Sequence, residues 1–117
     1  MKIYIAGPMR GVPFYNRDAF AEAAEALTNR GHFTVDPVEQ DVMYGFFVML
    51  LPKDHDWSTL PPGFDLSAAI DRSICAVRWC DCVATLPGWE NSIGASAEVA
   101  LARWYGKQVM TVEELTK

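Results

Sequence analysis

Glu98 is the residue of this sequence best placed to do chemistry. It follows a loop rich in Gly, Ser and Asn, residues 87–94, and its neighbours Ala97, Val99 and Ala100 are small and apolar. A strand that runs through such a loop into a helix leaves unpaired N–H groups at the helix N-terminus, and these groups attract anions. A lone carboxylate one turn into that helix is therefore a candidate for chemistry. The alternative is an acid that only complements the helix dipole.

Four apolar segments are expected to form strands, with helices between them. The predicted strands are Lys2–Ala6, Phe33–Val35, Cys82–Leu86 and Gln108–Val112. One helix is expected after a cap at Asn16 and ends at Gly31, a second begins at Leu66, and a third covers Ala95–Tyr105. This alternation predicts one doubly wound α/β domain over 1–117, Rossmann-like or flavodoxin-like. Its parallel sheet should have about four to five strands, with helices on both faces.

The two loops richest in small residues are expected to form one site. In doubly wound sheets, ligands bind beyond the carboxyl ends of the strands, at the point where the strand order reverses. The loops Gly7–Gly11 and Gly88–Gly94 would then face each other across adjacent strands. Glu98 would lie beside both.

Residues 38–64 form an insert that does not follow the βα pattern. Met43–Leu51 is apolar and aromatic, whereas Pro52–Gly63 contains three prolines and is typical of a loop. The apolar half could form a helix that packs on a partner subunit, a lid over the site, or ordinary core cover, and the sequence leaves these open. We expect a homodimer or larger homo-oligomer built partly on Met43–Leu51, because an apolar stretch outside the βα units needs a surface to cover it.

Composition excludes several partners. The net charge of −5 and the pI near 4.8 argue against binding a nucleic-acid polymer, which requires a basic face, but not against a small anion. The longest apolar run, Phe46–Leu51, is too short to cross a bilayer, and the N-terminus lacks a signal-peptide pattern. Three cysteines, expected in or near the core, fit a reducing cytoplasm. The Cys80-x-Cys82 pattern lacks a nearby His or second Cys pair, so neither a metal nor another cofactor is expected.

Two stretches carry a resemblance to a known family. Residues 3–11 read Ile-Tyr-Ile-Ala-Gly-Pro-Met-Arg-Gly, and residues 86–98 read Leu-Pro-Gly-Trp-Glu-Asn-Ser-Ile-Gly-Ala-Ser-Ala-Glu. In order and spacing they resemble the nucleoside 2-deoxyribosyltransferase superfamily, especially its small phage and prophage members and the deoxynucleoside 5′-monophosphate N-glycosidases. The resemblance covers most of the chain except 38–64. It implies cleavage of the N-glycosidic bond of a (deoxy)nucleoside 5′-monophosphate by a retaining double displacement.

The resemblance also implies roles for individual residues. Glu98 matches the nucleophile that forms the covalent glycosyl intermediate, and Tyr4 matches the tyrosine that orients it. Ser92 matches the serine that holds the 5′-phosphate, and Arg10 and Gly11 match phosphate-side residues of the first loop. Arg suits phosphate because its planar donors pair with two oxygens. The structural alternatives are a strand aromatic for Tyr4, a helix cap for Ser92 and a solvated charge for Arg10.

One further catalytic residue is expected on the helix before the third strand. There the family carries an aspartate that contacts the sugar or assists proton transfer to the base, and Asp71 is the candidate. It lies ten residues before Asp81, whereas the monophosphate glycosidases use a spacing nearer eight, which falls on Ser73. Two residues correspond to roughly 200° of helix rotation, so Asp71 faces the site only if the helix is shifted or wound differently.

Three small residues complete the expected substrate-binding set. Ser96 stands where those glycosidases carry a glycine, and its hydroxyl could narrow the space beside the sugar or add a contact to it. Gly7 and Gly94 are expected to line the substrate from the two loops.

Two other functions compete with the glycosidase. A deoxyribosyltransferase would use the same nucleophile, exclude water and retain a second base; family transferases tend to carry an acid near the position of Ser92. A non-catalytic nucleotide-binding module would use Glu98 only as a structural acid. The identity of the base is not encoded in a pattern that we can interpret.

Overall fold

A four-stranded parallel sheet forms the centre of the computed structural model, which describes residues 1–117. The strands are β1 (Lys2–Ala6), β2 (Phe33–Val35), β3 (Cys82–Thr85) and β4 (Gln108–Thr111). Their order is β2-β1-β3-β4, and all three neighbouring pairs are parallel. The predicted α/β fold is confirmed, with the strand number at the lower of the two expected values.

Five helices cover the sheet: α1 (Arg17–Asn29), α2 (Pro37–Met43), α3 (Leu66–Trp79), α4 (Ile93–Trp104) and α5 (Val112–Leu115). Alternate side chains of a strand point to opposite faces. Ile3 and Ile5 therefore pack in one core cluster with residues of α1 and α2, and Tyr4 packs in a second cluster with residues of α3 and α4. None of the helices is both long and apolar enough to cross a membrane.

Two helix starts differ from the prediction. Helix α1 does begin after Asn16, but this residue adopts a left-handed conformation and its side-chain amide donates to the carbonyl of Pro8 at 2.9 Å instead of capping the helix. Helix α4 begins two residues earlier than predicted, at Ile93. The reason is that the Oγ of Ser92 accepts a hydrogen bond from the N–H of Ala95 at 3.2 Å, so Ser92 is the N-cap.

The insert is not one helix. The first residues of the insert belong to helix α2. Only one short 3₁₀ turn, Val48–Leu50, lies between α2 and α3. Val48 is buried in the core, whereas Met43 and Leu50 are more than 70% exposed. The segment therefore gives both core cover and exposed apolar surface, and the homo-oligomer stays a prediction.

The loop half of the insert packs on the first loop of the domain. Trp57 contacts the ring of Phe14 at 4.7 Å and that of Tyr15 at 5.2 Å between centroids. The Tyr15 hydroxyl donates to the carbonyl of Thr59 at 2.5 Å and lies 2.8 Å from Nε2 of His55. These contacts join segments about 40 residues apart and hold the insert over the loop that follows β1.

The cysteines are not all where they were expected. Cys80 and Cys82 are buried, but Cys75 is exposed on α3, so the expectation that all three are in or near the core was wrong for this residue. The periodicity of α3 explains the difference, because its core-facing residues at this end are Ala76 and Val77. No three side chains of His, Cys, Asp or Glu lie close enough together to hold a metal ion.

Candidate active site

The loops after β1 and β3 lie side by side at the carboxyl edge of the sheet, as predicted. The last residues of the two strands, Ala6 and Thr85, are paired, and the N–H of Leu86 donates to the carbonyl of Ala6 at 2.9 Å. A Cβ on Gly7 would stand 2.8 Å from two carbon atoms of Leu86, so only glycine fits there. Gly7 therefore allows the two loops to approach each other.

Tyr4 and Glu98 meet just below these loops. The Tyr4 hydroxyl donates to Oε2 of Glu98, which joins the centre of β1 to the second turn of α4. Tyr4 is completely buried, and Glu98 is mostly buried. The structure thus brings into contact the two residues that the resemblance pairs. Their catalytic roles stay predictions.

Ser73 is the third member of this cluster. Its Oγ lies 3.2 Å from the Tyr4 hydroxyl. An ionised carboxylate only accepts hydrogen bonds, and the tyrosine hydroxyl has a single proton, which goes to Glu98. Ser73 is then the donor to the Tyr4 oxygen. The three side chains form a short chain of hydrogen bonds that ends on the carboxylate.

Burial controls the ionisation of the cluster. It raises the pKa of Glu98 to about 7, although the hydrogen bond from Tyr4 and the nearby hydroxyl of Ser73 act to lower it. Burial and the nearby charge of Glu98 raise the pKa of Tyr4 well above its usual value, so its hydroxyl stays protonated and remains a donor. The result is a carboxylate that is poised between its two states near neutral pH and held in one orientation.

Replacing Tyr4 with Phe is expected to raise the pKa of Glu98 further. Loss of a hydrogen bond to a charged group, worth roughly 1.5–3 kcal/mol, corresponds to an increase of about one to two pH units. The measurement is ¹³C NMR titration of carboxyl-labelled protein, with the Glu98 signal identified by its loss in Glu98→Gln. Tyr105→Phe, at an exposed tyrosine just after the end of α4, is the control. An unchanged Glu98 titration in Tyr4→Phe would contradict the role given to Tyr4.

Ser92 and the start of α4 offer donors to an anion. The Ser92 oxygen accepts from the N–H of Ala95, but its own hydroxyl proton is free to donate. The N–H groups of Ile93 and Gly94, the first two of α4, have no acceptor, because the first N–H groups of a helix have no intrahelical partner. Ser92 thus caps the helix and can still bind a ligand.

The first loop supplies a different set of donors from the one expected. Arg10 is exposed and free to bind an anion. The N–H of Gly11, which we expected near phosphate, instead donates to the carbonyl of Trp57 at 2.7 Å. The positive φ of Gly11, 83°, turns this N–H toward the insert. The structure gives Gly11 a role in holding the insert and leaves Arg10 as the exposed cationic residue of the loop.

Ser96 and Asp71 do not contact the Tyr4–Glu98 pair. The Ser96 hydroxyl donates to the carbonyls of Trp89 and Glu90 at 3.4 and 3.3 Å, so it closes the loop onto α4. Asp71 is exposed and forms no hydrogen bond or ion pair. The position on α3 that does face Tyr4 is Ser73, two residues further on, as expected from helix geometry.

Ser73 was not among the sequence-based candidates for the site. The signal for it was the family spacing of about eight residues before Asp81, which falls on Ser73, but we gave more weight to the carboxylate of Asp71. A second missed pair, Asp41 and Arg72, lies in the insert and on α3; its Nη2–Oδ1 distance is 3.2 Å. No local pattern could have joined these two residues, since 31 positions separate them.

Comparison with known proteins adds a family but no activity. No curated protein matches the chain. Residues 1–111 match a family described as a domain of unknown function, DUF4406. That description neither supports nor opposes the resemblance to the nucleoside 2-deoxyribosyltransferases, which stays a prediction. Because the match covers both loops, the Tyr4–Glu98 pair and the insert, the chain belongs to the DUF4406 family.

Proposed function

We propose that the protein is a retaining N-glycosidase that acts on (deoxy)nucleoside 5′-monophosphates through a covalent intermediate on Glu98. The observation that carries the proposal is the hydrogen-bonded pair of Tyr4 and Glu98, buried beneath two loops at the reversal of strand order. A mostly buried carboxylate with a fixed orientation and a pKa of about 7 is unusual for a purely structural acid.

The reaction has two steps. Glu98 attacks C1′ of the sugar, an ester bond forms, and the C1′–N bond breaks with its electron pair leaving on the base, which takes a proton from solvent. Water then attacks C1′, gives up a proton to solvent, and releases the sugar 5-phosphate while Glu98 regains its negative charge. Tyr4 donates to the carboxylate throughout and holds the non-attacking oxygen in place.

The anion-binding groups favour a monophosphate over a free nucleoside. Arg10 belongs to the loop after β1, and the Ser92 hydroxyl and the N–H of Gly94 lie where the loop after β3 enters α4. A phosphate held there would place the attached sugar over the nearby carboxylate. Glu98 lies six residues after Ser92, within the first two turns of α4.

Activity is expected to rise with pH and level off above about 7. The first step requires ionised Glu98, and burial raises its pKa to about 7. Below that value kcat/KM should fall tenfold per pH unit as the nucleophile becomes protonated. The measurement is kcat/KM from pH 5 to 9 on one monophosphate. A rate that instead declines steadily from pH 5 to 8 would indicate that Glu98 acts as an acid and would remove it as the nucleophile.

The direct test of the proposal is to incubate the protein with a monophosphate and to detect the released base and sugar 5-phosphate by chromatography. Adding a second free base to the same reaction distinguishes a glycosidase from a transferase. A glycosidase leaves the added base unchanged, whereas a transferase converts it into a new nucleotide.

A further inference from the structure

Three residues of the first loop adopt an unusual backbone conformation. Phe14, Tyr15 and Asn16 have φ angles of 52°, 50° and 66°, although each carries a side chain. Such left-handed angles are uncommon for these residues, and they persist only where the surrounding structure holds them. Strained backbone clusters at functional sites, so the contacts that maintain this conformation indicate what the loop does.

The insert supplies aromatic contacts to this segment. The ring of Trp57 packs on those of Phe14 and Tyr15, and the ring of His55 stands edge to face with that of Trp57 at 4.9 Å between centroids. Tyr15 is only 4% exposed, whereas His55 and Trp57 are half-buried. Four rings from two distant segments thus form one cluster.

The polar contacts of Tyr15 assign a proton to His55. The Tyr15 hydroxyl has a single proton and donates it to the carbonyl of Thr59, which can only accept. Nε2 of His55, 2.8 Å from the same hydroxyl oxygen, must then be a donor. His55 therefore carries a proton on Nε2, and the Tyr15 hydroxyl both donates and accepts within the cluster.

The insert also holds the β-turn that carries Arg10 at its second position. This turn is closed by the N–H of Val12, which donates to the carbonyl of Met9 at 3.3 Å. Gly11 takes the third position with a φ of 83°, a value that type II turns require there and that favours glycine. Its N–H donates to the carbonyl of Trp57. The residue next to Arg10 is therefore bonded directly to the insert.

Arg10 lies close to Tyr15 and depends on the turn for its position. Burial raises the pKa of Tyr15, and the positive charge of Arg10 acts to lower it, which requires the guanidinium to lie near the hydroxyl. Arg10 is exposed and forms neither an ion pair nor a side-chain hydrogen bond within the chain. Only the backbone beneath it therefore determines where its charge is presented.

We propose that Tyr15, His55 and Trp57 form a latch, which holds the turn of Arg10 in the conformation that binds the substrate phosphate. The three residues act through Arg10 and are positioning residues. A loop that is already fixed in its bound conformation loses less conformational entropy on binding, so the latch increases the affinity for phosphate. The inference deepens the proposed function and rests on it for the identity of the anion.

The first experiment measures whether the latch holds the turn, and it does not depend on activity. Amide hydrogen exchange of Gly11 is followed by NMR in the wild type, in Tyr15→Phe and in His55→Leu. Each variant loses a hydrogen bond of the latch, and exchange of Gly11 should become about tenfold faster. Unchanged exchange of Gly11 in either variant would overturn the inference.

Two further variants are the controls for this experiment. His55→Gln keeps an N–H donor close to the position of Nε2, so exchange of Gly11 should return toward the wild-type rate. Tyr44→Phe removes the hydroxyl of an exposed tyrosine in the same insert and should leave the exchange unchanged. Exchange as fast in His55→Gln as in His55→Leu would overturn the role of His55 as a donor.

The second experiment tests the effect on phosphate binding. The affinity for 2-deoxyribose 5-phosphate is measured from NMR shifts in the wild type, Tyr15→Phe, Arg10→Ala and the double variant. Tyr15→Phe alone should weaken binding by about tenfold, but in the Arg10→Ala background it should add almost no further loss, because no arginine is left to position. A purely structural role predicts equal losses in both backgrounds. Equal losses, no loss in Tyr15→Phe, or no binding by the wild type would overturn the inference.

These measurements separate the latch from the glycosidase. Binding of the sugar phosphate that depends jointly on Tyr15 and Arg10, without base release by the wild type, would support the latch and contradict the glycosidase. Base release by the wild type, with a Tyr15→Phe effect that persists in Arg10→Ala, would do the reverse. If Tyr15→Phe fails to fold, His55→Leu replaces it in the second experiment, since His55 is only half-buried; the same expected and contradicting results apply.

Discussion

Glu98→Gln is expected to abolish base release from the preferred monophosphate, by on the order of 10⁴-fold or more. The amide has the shape of the carboxylate but cannot displace a base and form an ester at C1′. The expected loss is large because no other carboxylate contacts Tyr4 or Ser73. The measurement is base release by chromatography at equal protein concentration. Glu90→Gln, an exposed glutamate of the neighbouring loop, is the matched control and should keep full activity.

The same variant should remain folded, and the direction in which its stability differs from that of the wild type can be predicted. The folded-state pKa of Glu98 is raised from 4.5 to about 7, so its contribution to stability is fully present below pH 4.5 and is lost as pH rises through 7. At pH 8 the buried charge therefore costs the wild type up to ~3 kcal/mol, which the neutral Gln does not incur. Glu98→Gln should melt at a higher temperature than the wild type at pH 8, and the difference should shrink at pH 5.

Full activity in a folded Glu98→Gln protein would contradict the mechanism. It would leave the pairing with Tyr4 as a structural feature of the α4–β1 contact and would favour the non-catalytic interpretation of the carboxylate.

The monophosphate is expected to be preferred over the matching nucleoside by on the order of a hundredfold. Each charge-assisted hydrogen bond to phosphate is worth roughly 1.5–3 kcal/mol, and two or three are available from Arg10, Ser92 and the N–H of Gly94. Part of the preference should appear in kcat, because binding at a remote group positions the sugar over the nucleophile. The measurement is kcat and KM on each member of a nucleoside–monophosphate pair.

Variants of these residues should lower activity on the monophosphate and spare the weaker nucleoside reaction. Arg10→Ala removes the side-chain charge, and Arg103→Ala, an exposed arginine at the far end of α4, is its control. Ser92→Asp keeps an N-cap residue, so the helix start is preserved, but it adds a charge that repels phosphate. Ser92→Asp should therefore reverse part of the preference. Equal wild-type rates on nucleoside and monophosphate would contradict the phosphate site and favour the transferase.

Much of the framework could be predicted from the sequence. The β-branched residues of β1 and β3, and the helical periodicity that follows them, fix a parallel sheet and therefore bring the two loops together. The Tyr4–Glu98 contact was expected from the family resemblance and not from periodicity. In the structure Tyr4 packs in the cluster that also holds Ala95 and Val99 of α4. Regular elements allow such packing to be predicted because their periods determine which face each residue occupies.

The rest depends on contacts that local patterns do not encode. On α3, Asp71 was the candidate because it carries a carboxylate. The rotation of the helix instead places Ser73 next to Tyr4. In the first loop, three consecutive non-glycine residues, Phe14–Asn16, adopt positive φ angles. Steric clashes make such angles uncommon for residues with a side chain. The carbonyl of Trp57 accepts a hydrogen bond from the N–H of Gly11, which lies 46 positions earlier in the sequence. No spacing rule predicts such a pair.

The most direct test of the central claim is incubation of the wild-type protein at pH 8 with a panel of ribo- and deoxyribonucleoside 5′-monophosphates and their nucleosides, with chromatography for released base. The account predicts free base together with the sugar 5-phosphate from at least one deoxynucleoside monophosphate, and much less from the corresponding nucleoside. Release of no base from any member of the panel, by protein shown to be folded, would contradict it.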